Sequence, residues 1–257
     1  MRTIRSIWAW FAICTLIVIW VPIMEVVNLL DRDPAKYRTG RWFRRLGSVM
    51  TRVNPVWRVR VSGYRPSDPR LPYMVVGNHQ SAADIPVFSR LPWDMKWIGK
   101  QSLFKLPLLG RMMHLSRDIP VDRSSRMSRA RVLGEASKRL KLRSSVMIMP
   151  EGTRTPDGSV GAFNEGAFRL AIKLGVPILP VAVEGTFDAL PKDDWRFGDR
   201  QEIKLHVFEP IPVEGLGAAD AHALQERVRR MIIARVAEWR GVDPAEVDGA
   251  PPVVEEA

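Results

Sequence analysis

Cysteine is almost absent from this 257-residue chain: Cys14 is the only one, so it can form neither an internal disulfide nor a thiolate metal cage. Histidine is also sparse. His79, His114, His206 and His222 are scattered, and with no HExxH or CxxC spacing the sequence offers no zinc site. There is no Gly-rich loop ending in Lys-Ser/Thr, which argues against a nucleotide-binding P-loop and, together with the missing metal cluster, against a phosphohydrolase. Basic strands interleaved with aromatics, of the RNA-binding kind, are missing too, and nucleic acid is not expected as a partner. Internal repeats are absent. Basic residues stop at Arg240, after which Asp243, Glu246, Asp248, Glu255 and Glu256 follow. Formal charge is missing from one long run, Ile7 to Met24.

What is present is an ordinary globular composition with 46% hydrophobic residues and a net charge of +11. A body that basic attracts anionic membranes or phosphorylated substrates. The charge-free run carries Trp8, Trp10 and Trp20, which suit a water–lipid boundary, and as a helix it would be about 27 Å long, near the length that spans a bilayer. A signal peptide fits the basic start, but no small-x-small cleavage site follows Trp20. Residues 32–53 read as a basic amphipathic helix: Arg32, Lys36, Arg38, Arg41, Arg44, Arg45 and Arg52 surround an apolar face of Trp42, Phe43, Leu46, Val49, Met50 and Val53. Basic residues flank the apolar run on both sides, so both ends prefer the cytoplasmic side. The expectation is a helical hairpin over 1–54 dipped into one leaflet of an anionic membrane, with a single span as the alternative.

From Pro55 to Gly241 apolar runs alternate with helical segments. Strands are expected at 57–61, 73–77, 95–98, 118–121, 146–149, 177–183 and 203–208. Helices are expected at 100–113 (broken by Pro107), 124–143, 164–174 and 219–239. This predicts an α/β domain with a mainly parallel mixed sheet flanked by helices, whose ligands bind at the carboxyl ends of strands. Residues 242–257 are expected to form a disordered acidic tail.

Polar corners follow the strands. Asn78-His79 and Asp84 sit where strand 73–77 turns into a helix. With Asp84 as helix cap, its carboxylate can curl back to the imidazole and make a general base of it. Asp122-Arg123 follow strand 118–121. Pro150-Glu151-Gly152-Thr153-Arg154 follow strand 146–149, and Gly152 permits close backbone approach to a ligand. Val176-Pro177-Ile178-Leu179-Pro180-Val181 is bracketed by prolines. The two guanidiniums, Arg123 and Arg154, suit a phosphate.

These four corners, in order across 73–185, resemble those of the glycerophospholipid acyltransferases and, among them, the 1-acyl-glycerol-3-phosphate (lysophosphatidic acid) acyltransferases. Lys100 and Lys105 match that family's basic pair. Two departures stand out: Phe163-Asn164-Glu165-Gly166 lacks a Lys common in the family, and Thr155 stands where Ser is common. The resemblance implies an enzyme of the inner membrane with its catalytic domain on the cytoplasmic face. His79 and Asp84 would be catalytic. Asn78, Lys100, Lys105, Arg123, Glu151, Gly152, Thr153 and Arg154 would bind substrate, with Arg123, Arg154 and Lys105 on the acceptor phosphate. Glu151 is expected to orient Arg154 or a hydroxyl. Beyond the donor thioester itself, acyl-CoA or acyl-carrier protein, no cofactor or metal is implied. Another lyso-lipid acceptor, such as lyso-ornithine lipid, or a non-enzymatic membrane-tethered basic module are the rival readings.

Overall fold

The computed structural model describes residues 1–122 and 124–249. Seven strands, β1 (Trp57–Gly63), β2 (Met74–Gly77), β3 (Met95–Lys100), β4 (Ile119–Val121), β5 (Ser145–Ile148), β6 (Ile178–Glu184) and β7 (Gln201–Val207), form one sheet in the order β1-β7-β6-β2-β5-β3-β4. Every neighbouring pair is parallel except β6–β7. The helices are α1 (Arg2–Leu30), α2 (Tyr37–Val53), α3 (Asp84–Phe88), α4 (Gln101–Phe104), α5 (Pro107–Leu115), α6 (Arg126–Lys141), α7 (Gly166–Leu174), α8 (Thr186–Ala189), α9 (Ala221–Arg240) and α10 (Pro244–Val247). Pro107 occupies the first position of α5, where its missing N–H costs nothing, and this divides the expected 100–113 helix in two.

Alternation within the strands sorts side chains onto two cores. Met74 and Val76 of β2 enter one with α6, α7 and α9, whereas Val75 enters the other with α3 and the aromatic residues Trp57, Trp93 and Trp97. A third, smaller cluster joins the two N-terminal helices to α5 through Met24, Leu46, Met112 and Leu115, with Trp20 and Trp42 against it.

At 29 residues, α1 is about 44 Å long, and by length and composition it could cross a bilayer. It nevertheless lies against the domain. Ala9 and Met24 are buried, and Ile13, Leu16, Ile17, Trp20 and Val21 pack beneath. Near its start Arg5 pairs with Asp199 (2.6 Å) and the Trp10 indole donates to the Trp195 carbonyl (2.7 Å), while further along Glu25 pairs with Arg111 of α5 (2.6 Å). The opposite face presents Ile4, Ile7, Trp8, Phe11, Val18, Ile19, Val26 and Leu29 in a continuous exposed apolar stripe at helical spacing.

The second helix is amphipathic, as read from its sequence, but its apolar face packs on α1 and α5 and one of its cations is buried with it. Its buried side contains Thr39, Gly40, Leu46, Gly47 and also Arg44, which had been counted among the surface cations. Arg44 donates from Nη2 to both oxygens of Asp118 (2.9 and 2.7 Å) beside the Lys96–Asp94 pair (2.5 Å). Gly40 lies so close to Asp94 that a Cβ there would collide with the carboxylate.

The expected acidic tail is also corrected for residues 242–249. Asp243 caps α10, Val247 is fully buried, and residues 247–249 bond to Val160 on both sides (2.8 and 3.1 Å). Arg229 of α9 draws the segment in through Asp248. The remainder of that expectation, 250–257, lies outside the described residues.

Candidate active site

Strand order explains why the corners meet. β6, β2 and β5 are neighbours running in the same direction, so the loops leaving their carboxyl ends open on the same edge of the sheet. After β2, His79 Nδ1 lies 2.7 Å from Asp84 Oδ2. A carboxylate at that distance accepts from the ring, which places the proton on Nδ1 and leaves the Nε2 lone pair open. Nε2 has no hydrogen-bond partner among the described residues, although the ring is largely buried.

Asp84 is completely buried and works harder than a helix cap. It is the first residue of α3 rather than its cap, and the same Oδ2 also accepts from the amides of Gln80 (2.9 Å) and Ser81 (3.0 Å). The carboxylate thereby folds the 79–84 turn around itself. That is how a spacing of five, which on a helix would hold the two side chains apart, brings them into contact. Its other oxygen, Oδ1, accepts from the Thr186 hydroxyl at the start of α8. The sequence reading did not single out Thr186. Its only signal is the preceding Gly185, which has φ +87° and approaches the Glu202 carbonyl so closely that a side chain would not fit.

Three residues expected to bind substrate have other duties. Asn78 is fully buried and exchanges two 2.9 Å bonds with the backbone of Val183, locking the β2 corner to β6. Glu151 is buried as well; rather than Arg154, it receives the His79 amide on Oε1 (2.7 Å) and the Gly161 amide on Oε2 (3.1 Å). Burial pushes its carboxyl up to about 8, and the nearby Asp84 charge adds to the rise. The amide of Gly152 (φ +75°) is occupied by the Met149 carbonyl (3.1 Å), so the amides of this corner without a partner among the described residues are those of Glu151, Thr153 and Arg154.

Thr153 is exposed and Arg154 half-buried, and Arg154 forms no ion pair among the described residues. Lys100 and Lys105 are exposed at the far end of β3 and after α4, on the part of the sheet beyond β5. Lys105 is near enough to Asp122 to help hold that carboxyl low, after the larger effect of Ser124. Arg123 lies outside the described residues. Asn164, where the missing Lys would stand, is tied through its side-chain amide to the Pro150 carbonyl (2.7 Å). No group of three or more His, Cys, Asp or Glu among the described residues could hold a metal ion.

Residues 58–184 match the acyltransferase family model. The chain belongs to the acyltransferase family. Human 1-acyl-sn-glycerol-3-phosphate acyltransferase alpha is 35% identical over 178 residues, covering 68% of this chain and 62% of that protein. The chloroplastic 1-acyl-sn-glycerol-3-phosphate acyltransferase BAT2 of Brassica napus is 30% identical over 198 residues, 76% of this chain and 56% of that one. The chain thus spans between half and two thirds of the length of the curated relatives it matches. The crystal structure of the 1-acyl-sn-glycerophosphate (LPA) acyltransferase PlsC from Thermotoga maritima superposes with a TM-score of 0.78 at 27% identity, covering 93% of this chain and 98% of that one.

Proposed function

We propose that this acyltransferase moves a fatty acyl group from an acyl thioester to the free sn-2 hydroxyl of lysophosphatidate, giving phosphatidate. The observation that carries the proposal is the buried His79–Asp84 pair with Nε2 open at the carboxyl ends of three neighbouring strands. The names of the relatives supply the substrate class.

In this mechanism His79 Nε2 takes the hydroxyl proton as the oxygen attacks the thioester carbonyl. Asp84 stabilises the imidazolium that forms. The carbonyl oxygen becomes an oxyanion for which the unpartnered amides of the 150–154 corner are the candidate donors; such a donor contributes about 3 kcal/mol. Collapse of the tetrahedral intermediate expels the thiolate, and His79 returns its proton to the sulfur. No acyl-enzyme is formed, in keeping with Cys14 lying on α1. Arg154, Lys105 and Arg123 bind the acceptor phosphate, whose planar recognition suits guanidinium. The donor is either acyl-CoA or an acyl-carrier protein.

The apolar stripe of α1 enters one leaflet of an anionic membrane on its cytoplasmic face while the other side of the helix stays on the domain. A full span would strip α1 from its partners at Asp199, Trp195 and Arg111. Both substrates carry acyl chains, and lifting one out of lipid costs about 0.8 kcal/mol per CH₂, so a site at the leaflet surface avoids most of that cost.

Purified enzyme in detergent, given lysophosphatidate and acyl-CoA, is expected to produce phosphatidate; His79→Ala with the fold intact is expected not to. Robust transfer by His79→Ala removes the mechanism. One observation favours a second acceptor: with Asn164 tied to Pro150, no cation stands at the position of the family's Lys. A panel of lyso-lipids, including lyso-ornithine lipid, ranks the acceptors.

A further inference from the structure

The family-model match ends at Glu184, yet hydrogen bonds from beyond that point converge on the catalytic pair. Thr186 is fully buried at the head of α8, and its hydroxyl faces two acceptors, Asp84 Oδ1 and Gln80 Oε1 (3.1 Å). The hydroxyl has a single proton, and the charged carboxylate, which is also nearer, takes it. The Gln80 amide is held in turn. Its Nε2 donates to Glu184 Oε2 (2.8 Å) and to the Gly158 carbonyl (3.2 Å). The same two acceptors receive Arg240 Nη2, at 2.9 and 2.7 Å, from the last residue of α9. A continuous chain therefore runs from the end of α9 through Glu184 and Gln80 to the turn that carries His79.

We propose that Thr186 is the positioning residue that holds Asp84 as the acceptor for His79, while Arg240, through Glu184 and Gln80, braces the turn whose amides hold the other Asp84 oxygen. The reasoning is one of valence. Asp84 Oδ2 already serves the imidazole and two amides, so the carboxylate is oriented by what binds Oδ1, and Thr186 is the partner that Oδ1 has among the described residues. Without that donor the buried carboxylate carries more of its charge on Oδ2. It holds the His79 proton more firmly and is free to rotate about its own axis. Among the described residues the other titratable groups of this network are Glu151 after β5, Glu184 at the end of β6, and Arg229 and Arg240 of α9. None of them supplies a hydrogen bond to Oδ1.

This inference rests on the acyl-transfer reading for its kinetics but not for its spectroscopy. The test compares wild type with Thr186→Val, Thr186→Ser and Arg240→Gln in full-length protein. Thr186→Val, which removes the hydroxyl and keeps the shape, is expected to lower kcat about 10- to 100-fold with acceptor KM within about 3-fold, and to move the acid limb of kcat/KM to higher pH. Thr186→Ser, which keeps a hydroxyl, is expected to restore most of kcat and the wild-type limb. Arg240→Gln is expected to lower kcat about 3- to 10-fold and carries the test should Thr186→Val not fold. In parallel, ¹⁵N-histidine spectra, with the His79 signal identified by its loss in His79→Ala, are expected to show its titration raised in Thr186→Val. A shifted titration in an enzyme that transfers no acyl group sinks the acyl-transfer reading and leaves the positioning role standing. Unshifted titration and unchanged kcat in Thr186→Val, or in Arg240→Gln where it stands in, overturn the positioning role.

Discussion

Two clusters of buried charge serve this protein in opposite ways. Around Arg44, Asp94, Lys96 and Asp118, cations and carboxylates face each other: Arg44 meets Asp118, Lys96 meets Asp94 and the Lys36 carbonyl, and the Trp97 amide closes on Asp118. Around His79, Asp84 and Glu151, no cation among the described residues forms an ion pair with either carboxylate; backbone amides, a hydroxyl and one imidazole satisfy them, and one nitrogen is left over. The first cluster balances its charges and fastens the N-terminal hairpin to the sheet, although Arg44 Nε and both Asp94 oxygens lack a well-directed hydrogen bond. The second leaves an imidazole nitrogen without a partner at the end of a hydrogen-bonded network, the arrangement that the proposed proton transfer requires.

That contrast can be broken experimentally. His79→Ala should remove about 10²- to 10⁴-fold of kcat while thermal stability changes little, as measured by acyl transfer and by unfolding monitored by circular dichroism. Arg44→Met should do the reverse: it leaves Asp118 and Asp94 buried beside an uncharged side chain, so a loss of about 3–5 kcal/mol in denaturant unfolding is expected, with kcat per folded molecule within about 3-fold of wild type. If Arg44→Met abolished turnover in folded protein, the two clusters would be one functional unit.

Less severe changes sharpen the comparison. Trp8→Ser with Phe11→Ser removes two aromatic rings from the α1 stripe without touching either cluster. Cosedimentation with anionic vesicles should weaken about 10- to 100-fold, and turnover in detergent should survive. The smallest effect concerns Glu151. Its folded-state carboxyl lies above the ordinary value, so between about 4.5 and about 8 the folded protein binds the proton that the unfolded chain releases. Its contribution to stability is complete below that window and fades as pH rises through it. Unfolding midpoints of wild type should therefore fall more steeply from pH 6 to pH 8 than those of Glu151→Gln. Equal slopes would show that Glu151 is not titrating there.

The sequence displayed the His79–Asp84 contact because its cause is local: a strand, a sharp polar turn and a Pro-containing first helical turn lie within a short stretch. The α/β class and the apolar first helix were legible for the same reason, since periodicity and run length are properties of a short window. What it hid depends on the partner across space. Asn78 reads as a polar residue beside a histidine, and only the adjacency of β2 and β6 makes it a clamp. Glu151 sits in a motif with Arg154, yet the direction of the His79 amide decides whom it binds. Arg44 has the same spelling as the surface arginines around it, and its burial follows from Asp118, more than seventy residues away. Residues 242–249 have the composition of a loose tail, but Val247 and Asp248 find a hydrophobic hole and an arginine that no local pattern announces.

The fastening of α1 to the 194–199 loop has a bearing on biosynthesis. Arg5 and Asp199 are separated by 194 positions, so at about 5–20 residues per second a ribosome needs about 10–40 s to deliver the loop after the helix has been made. During that interval the C-terminal half of α1 can already pack on α2, while its tryptophan-bearing start still lacks the 194–199 loop. On the membrane reading proposed above, that end of the helix has the bilayer to rest on before its own loop exists, and the loop is then assembled beside a segment already delivered to its destination.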